Sequence, residues 1–360
     1  MKIDQKKSKV PLFSTFLTLA VGIFIWQGWS WWKQGIAPVA GDNVAVNAAG
    51  NQVQFYVPSG VSGQQIGAKL VEAGLINSTN AWRMWVWWQQ KQDPNGGFKA
   101  GTYLLSPHDS LPVIAAKIWR GEVMQTTFTI PEGWSIQQMG KYFESLGYFS
   151  AVEFEQAASQ IPYEQYPWLP EGLPYLEGFL YPDTYKLSSD RLKDPQAIVR
   201  LMLNRFQQIA LPVYQQAQTD LSLRDWVALA SIVEKESVVA EERRLIAGVF
   251  TQRLRRGMRL ESDPTVEYGL GIRQTADRPL TYAEVGTPSP YNTYLNSGLP
   301  PTAIASPAIA SLQATLDPEE TEYLYFVARY DGTHVFSKTL AEHETATREI
   351  RRAREARESS

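Results

Sequence analysis

The sequence predicts an α+β protein carried behind a single N-terminal transmembrane helix. Three observations predict it. An uncharged, mostly apolar run extends from Pro11 to Trp32, a strand–turn–helix unit occurs twice, and an apolar helix near the middle carries a glutamate on its buried side.

The run Pro11 to Trp32 matches the roughly 20 residues a helix needs to cross the hydrocarbon core. Lys2, Lys6, Lys7 and Lys9 precede it and Lys33 follows it. That excess predicts an N-terminus in the cytoplasm and a body outside it, on the periplasmic or outer side of a plasma membrane. Trp26, Trp29, Trp31 and Trp32 gather at the far end, as an interfacial aromatic belt does. The alternative is a cleaved signal peptide, but the apolar run is long for one and no small-residue cleavage site follows closely. The chain has no cysteine, in keeping with that location. Residues 1–36 are therefore assigned to a cytoplasmic stub and anchor. Residues 37–52, small and polar, are assigned to a flexible spacer.

Phe55-Tyr-Val-Pro-Ser-Gly-Val-Ser-Gly-Gln-Gln-Ile-Gly67 resembles Phe128-Thr-Ile-Pro-Glu-Gly-Trp-Ser-Ile-Gln-Gln-Met-Gly140 at an offset of 73 residues. Each copy reads as a strand, a Pro-x-Gly turn and a helix. Ser62 with Gln65, and Ser135 with Gln138, have capping-box spacing. Gly74 and Gly147 are expected to stop the two helices. Trp82, Trp85, Trp87 and Trp88 lie on the next expected helix, as a sugar-stacking platform or as core. Lys99 to Leu105 reads as a strand. Leu111 to Trp119 reads as a helix that tolerates Pro112 in its first turn and ends at Gly121. These elements make a small α+β subdomain over 53–124.

A larger domain over 125–345 follows. Its expected elements are a strand at 128–130 and helices at 135–146, 151–159, 195–209 and 241–255, the last stopped at Gly257. The stretch Tyr163 to Asp190, rich in Pro, Gly and aromatics, reads as an ordered loop. Tyr323 to Ala328 and His334 to Phe336 read as strands paired across Asp331-Gly332. Residues 346–360 alternate Glu and Arg and read as a charged, solvated helical tail.

Ser222 to Val239 is expected to be the helix that bears the acid, with Ser222 as its N-cap. At about 100° per residue, Trp226, Leu229, Ala230, Ile232, Val233 and Ala240 share one face. Glu236 falls roughly 50° from its centre, Glu234 just past its edge, and Lys235 points to water. A buried carboxyl must be paired or kept neutral. Kept neutral, it suits a general acid. Paired, it would meet Arg243, Arg244 or Arg253. Helix geometry alone leaves both readings open.

The surroundings add a resemblance. Leu229-Ala-Ser-Ile-Val-Glu-Lys-Glu-Ser237 lies between Leu176-Glu-Gly-Phe-Leu-Tyr-Pro-Asp-Thr-Tyr185 and a run that includes Leu260-Glu-Ser-Asp-Pro-Thr-Val-Glu-Tyr-Gly269. Ser289-Pro-Tyr-Asn-Thr-Tyr294, Gly298-Leu-Pro-Pro301, Ile304-Ala-Ser-Pro307 and Tyr323-Leu-Tyr-Phe-Val-Ala328 follow. In this order, from about Phe55 to His343, the set resembles the endolytic murein transglycosylase, or YceG-like, family. The resemblance implies that 125–345 is the catalytic domain and that Glu236 is its catalytic residue. It implies a lytic cut of peptidoglycan strands, at bonds between N-acetylmuramic acid and N-acetylglucosamine, that leaves 1,6-anhydromuramyl ends. Glu177, Asp183, Ser237, Asp263, Tyr291, Asn292 and Tyr294 lie in blocks that match the family and are expected to line the glycan groove or support Glu236. Asp263 could equally cap a helix, and Tyr291, Asn292 and Tyr294 could equally pack a loop. The strand–turn–helix unit resembles a LysM module, which binds glycan in other proteins; the alternative is a building block without a ligand. The resemblance also implies work beside peptidoglycan synthases.

Other chemistries find little support. A net charge of −3 gives no nucleic-acid signal. His108, His334 and His343 show no H-E-x-x-H spacing and there is no cysteine, so no metal or cofactor is expected. No phosphate-binding loop or G-x-S-x-G elbow occurs. Two alternatives stay open: a lysozyme-like hydrolase that uses Glu236 and Asp263, and a non-catalytic peptidoglycan-binding scaffold.

Overall fold

The computed structural model describes residues 12–40, 52–275, 278–329 and 331–358. Lys2, Lys6, Lys7, Lys9 and Pro11 lie outside the described residues. Contacts divide the chain into two compact units, 1–126 with 186–190, and 127–185 with 191–360.

In the first unit, helix α1 runs Leu12–Ile36. Its side chains are described from Gly22 onward, apart from Phe24. Among the described residues no helix is long and apolar enough to cross a membrane. Trp32 and Ile36 pack on the unit's own core. The expected spacer is not free at its start: Asn77 Nδ2 donates to the Ala37 carbonyl at 2.9 Å and Ala40 N–H donates to the Pro107 carbonyl at 3.0 Å. Residues 41–51 lie outside the described residues.

Next come β1 (Val53–Val57), α2 (Gly63–Glu72), α3 (Thr79–Gln92), β2 (Gly101–Leu105) and α4 (Leu111–Arg120). Strands β1 and β2 pair antiparallel, with Phe55 opposite Tyr103. Ser62 and Gln65 form the capping box of α2, which satisfies two amides the helix start leaves unpaired. Gly67 is required by contact, because a Cβ there would lie 2.3 Å from the Trp82 ring. The tryptophans of α3 divide: Trp82 and Trp85 are buried, whereas Trp87 and Trp88 are 58% and 51% exposed.

The second unit begins within β3 (Gln125–Thr129), which pairs with β4 (Thr184–Ser188). Strand β4 corrects the expected loop over 163–190. Its residues alternate, with Tyr185 and Leu187 buried between exposed Thr184 and Lys186, but the Pro and Gly before it hide that period. Between the strands lie α5 (Ile136–Ser145), with its Ser135–Gln138 capping box, and α6 (Ala151–Ser159). Gly74 and Gly147 follow α2 and α5 with φ of 65° and 72°. Then come α7 (Pro195–Ile209), α8 (Leu211–Gln216), α9 (Leu223–Glu236), α10 (Arg243–Arg255), α11 (Asp263–Leu270), α12 (Tyr282–Val285) and α13 (Ile309–Leu316). The chain closes with β5 (Tyr325–Ala328), β6 (His334–Ser337) and α14 (Leu340–Glu358). Helix α14 starts before the expected tail and packs on β5 and β6.

Helix α9 is the centre of this unit. Every residue from Trp226 to Val233 is buried, and α10, α11 and α13 pack round it. The helix ends at Glu236, three residues before the expected Val239, so exposed Ala240 leaves the apolar face and sits in a 3-10 turn. Gly178 packs against α9 from the 163–183 loop with φ of 84°, and a Cβ there would lie 2.6 Å from Val227 Cγ1 and 2.5 Å from Ala303 Cβ. Gly178→Ala should therefore destabilise this unit by about 2–4 kcal/mol, from the left-handed backbone and overpacking together. Urea unfolding followed by tryptophan fluorescence checks this; a loss below about 0.5 kcal/mol would contradict the packing.

Candidate active site

Glu236 closes the last turn of α9. Its carboxyl accepts a hydrogen bond from Ser262 Oγ at 2.6 Å. Burial pushes its pKa up to about 7. The Ser262 bond and the charge of Arg253 oppose this, while Asp263 and Glu267 reinforce it. A carboxylate at a helix C-terminus also meets the negative end of the helix dipole, which acts in the same direction. The residue as a whole is half-buried. The acid is thus shielded enough to hold a proton near neutral pH, on a residue that keeps some solvent exposure.

Among the described residues no arginine forms a salt bridge with Glu236, so the ion-pair reading with Arg243, Arg244 or Arg253 fails. Arg244 binds Asp317 at 2.9 Å and Arg253 binds Glu261 at 3.1 Å. Arg243 Nε has no hydrogen-bond partner among the described residues, and its charge acts on Glu132. Glu234 does something different. Its Oε2 accepts from Ser311 Oγ at 2.6 Å and from the Ala308 amide at 3.1 Å. Ala308 has no side-chain oxygen to cap α13, and Glu234 instead ties down that helix start through the Ala308 amide and the Ser311 hydroxyl. Lys235 is exposed, as expected, and reaches the Gly133 carbonyl at 3.4 Å. Gly133 is the turn glycine of the second strand–turn–helix copy, whose turn therefore abuts the Glu-Lys-Glu triplet.

The other expected residues separate. Glu177 is 2% exposed. It accepts from the Ile136 amide at 3.0 Å, at the start of α5, and from Tyr268 OH at 2.9 Å on α11. Burial raises its pKa to about 8 against these bonds. Asp263 accepts from Tyr294 OH at 2.7 Å. It is the first residue of α11 and not its cap; Ser262 takes the cap position. Tyr291 bonds to Tyr175 and, at 2.9 Å, to Thr302. Ser237 follows the end of α9 with a buried hydroxyl that has no partner among the described residues. Asp183 is instead paired with Arg205 at 2.5 Å. Asn292 is spent on its own loop, with Nδ2 donating to the Val285 and Thr287 carbonyls at 2.8 and 2.9 Å.

A cavity of about 630 Å3 opens beside these groups. Tyr175, Glu177, Lys235, Glu267, Tyr268 and Tyr291 are among its lining residues. Glu236 is not, although Lys235 before it and Pro264 on α11 are. Sequence reasoning missed Ser262, Glu267 and Tyr268. Ser262 had a signal, a serine before Asp-Pro, but that signal reads as a helix cap.

The fold and site define a mixed α+β protein with two shielded glutamic acids, Glu236 and Glu177, at or beside a tyrosine-lined cavity. The chain belongs to the YceG-like family, whose sequence model matches residues 55–349. It is 30% identical over 308 residues to an endolytic murein transglycosylase of Bacillus subtilis (strain 168), covering 82% of this chain and 83% of that protein. It is 29% identical over 321 residues to an endolytic murein transglycosylase of Streptococcus pneumoniae serotype 2 (strain D39), covering 81% of this chain but 57% of that longer protein. The crystal structure of a YceG-like protein from Listeria monocytogenes superposes with a TM-score of 0.53 at 29% identity, covering 82% of this chain and 99% of that one.

The raised pKa of Glu236 has a signature in stability. Below pH 4.5 its carboxyl is neutral folded and unfolded alike. As pH rises past 4.5 the unfolded chain loses the proton first, and native stability falls until the folded group also ionises near pH 7. Glu236→Gln removes that loss. It should melt with the parent protein near pH 4 and be more stable by roughly 1–3 kcal/mol at pH 8.5, with partial exposure allowed for. A variant no more stable than the parent at pH 8.5 would contradict the shielded acid.

Proposed function

We propose that this chain is a membrane-anchored lytic transglycosylase that cuts peptidoglycan glycan strands internally. The observation that carries the reading is the shielded carboxyl of Glu236 at the end of α9, held by Ser262 Oγ and with its pKa pushed up to about 7, in a family whose relatives are named endolytic murein transglycosylases. Glu236 acts first as an acid. It protonates the oxygen of the bond from N-acetylmuramic acid to N-acetylglucosamine as that bond breaks. The resulting carboxylate then takes the proton of the muramyl C6 hydroxyl while that oxygen closes on C1. The products are a 1,6-anhydromuramyl end and a free N-acetylglucosamine 4-hydroxyl. No water is consumed and Glu236 regains its proton. The intramolecular nucleophile has a high effective concentration, which lowers the demand for a second enzymatic group.

A lysozyme-like hydrolase remains the second reading because Asp263 acts electrostatically on Glu236. The test is mass spectrometry of products formed from glycan strands in H2(18)O. Anhydro ends without the label are expected, with little effect of chelators. Label at a new reducing end would establish the hydrolase. In the same assay Glu236→Gln should lose nearly all turnover while staying folded. Glu234→Gln should keep measurable activity and lose about 1 kcal/mol of stability through α13. Full activity in Glu236→Gln would reject Glu236 as the acid, and glycan binding without turnover by the parent chain would support the binding scaffold.

The anchor is part of the proposal. The uncharged run from Pro11 to Trp32 and the preceding lysines support a retained single-pass helix with the body on the extracytoplasmic side. The strand–helix–helix–strand order of β1, α2, α3 and β2 supports a LysM-like subdomain that contacts glycan. Work beside peptidoglycan synthases rests on the family alone. Protease added to intact spheroplasts should digest residues beyond Lys33; a protected body would reject this topology.

A further inference from the structure

The loop before α11 is unusual in three ways. Glu261 has φ of +51°, the one positive value at a non-glycine residue among the described residues, and such a backbone is strained for an L side chain. The next residue, Ser262, is 2% exposed and sits at the N-cap of α11, yet its side chain makes no capping bond. A serine there would ordinarily accept from its own helix. Its hydroxyl instead crosses to α9 and meets Glu236 Oε1 at 2.6 Å.

The strain is held in place by a buried cation. Arg253 on α10 is 7% exposed. Its Nη1 donates to the carbonyls of Arg259 and Leu260 at 3.1 and 2.9 Å and to Glu261 Oε2 at 3.1 Å. Its Nε donates to the Leu324 carbonyl at 2.6 Å. On the other side, Glu261 N–H donates to the Thr293 carbonyl at 3.2 Å and Ser262 N–H to Thr293 Oγ1 at 3.0 Å. The loop is fixed on both sides, and what it presents is one hydroxyl.

We propose that Ser262 is a positioning residue for the acid. Its hydroxyl holds Oε1 of Glu236, which leaves Oε2 as the oxygen that carries and delivers the proton, and the left-handed turn at Glu261, braced by Arg253, serves to present that hydroxyl. This rests on Glu236 as the acid of the proposed reaction. The same bond steadies the carboxylate in the second half of the reaction, when Oε2 must recover a proton from the C6 hydroxyl. Asp263, Glu267 and Tyr294 on one side and Arg253 on the other are the charged and titratable groups acting on Glu236 or acted on by it.

The test is the pH profile of turnover by the full chain on peptidoglycan strands, with Ser262→Ala, Ser262→Thr and Glu236→Gln measured together. Ser262→Ala should lower kcat roughly ten- to hundred-fold, the worth of a hydrogen bond to a charged group, with KM little changed. Its alkaline limb should move to higher pH, because the bond that favours the ionised form of Glu236 is gone. Ser262→Thr should restore both kcat and the limb. A purely structural serine would lower stability without moving the limb. If Ser262→Ala does not fold, Ser262→Cys keeps the volume with a weak donor and should show the same shift. An unchanged kcat and limb in the folded variant, or no rescue by threonine, would overturn the proposal while inactive Glu236→Gln left the acid assignment standing. Activity in Glu236→Gln would instead overturn the acid assignment itself.

Discussion

The structure turns on the desolvation of one carboxyl at the end of a buried helix. From Trp226 to Val233 helix α9 has no exposed face, so the elements round it must form a closed sleeve. The sleeve stops at the last turn, where Glu236 emerges half-buried. An acid deeper in the helix would be neutral and unreachable, and one beyond the cap would be solvated and ionised at neutral pH. The termination of α9 at Glu236 therefore sets both the proton affinity and the access of the group.

Two neighbouring glutamates show how position within one turn divides labour. Glu234 points to the start of α13 and accepts from the amide of its cap residue, Ala308, where a helix N-terminus favours a carboxylate. Glu236 points to the start of α11 and meets a hydroxyl rather than a cation. A guanidinium in that place would have held the carboxyl ionised. The nearest candidate, Arg253, is occupied by three carbonyls and by Glu261. The fold keeps its cation one step removed, bracing the loop that touches the acid.

How much of this was legible in the sequence follows the range of the interactions. The capping boxes at Ser62 and Ser135, the glycine stops at Gly74 and Gly147, and the face of α9 that bears Glu236 are local patterns, and the structure carries them. Val238 and Val239 extend the apolar pattern past Glu236, so the sequence does not mark the end of α9. Strand β4 was hidden because its short alternation follows a loop full of Pro and Gly. Asp183 and Asn292 were grouped with the site on family blocks, yet one is taken by Arg205 and the other by its own loop. Ser262 could not be found from local pattern. Its sequence setting says helix cap, and only the crossing of α9 and α11, 26 residues apart, turns its hydroxyl to Glu236.

Everything described for the site depends on the Glu236 carboxyl holding its proton near neutral pH in the folded chain. The most direct measurement is a titration of carboxyl 13C signals in the intact protein labelled at glutamate, with the Glu236 resonance assigned by its absence in Glu236→Gln. A midpoint of about 7 is expected for that resonance. A midpoint near 4.5, that of a solvated glutamate, would contradict it.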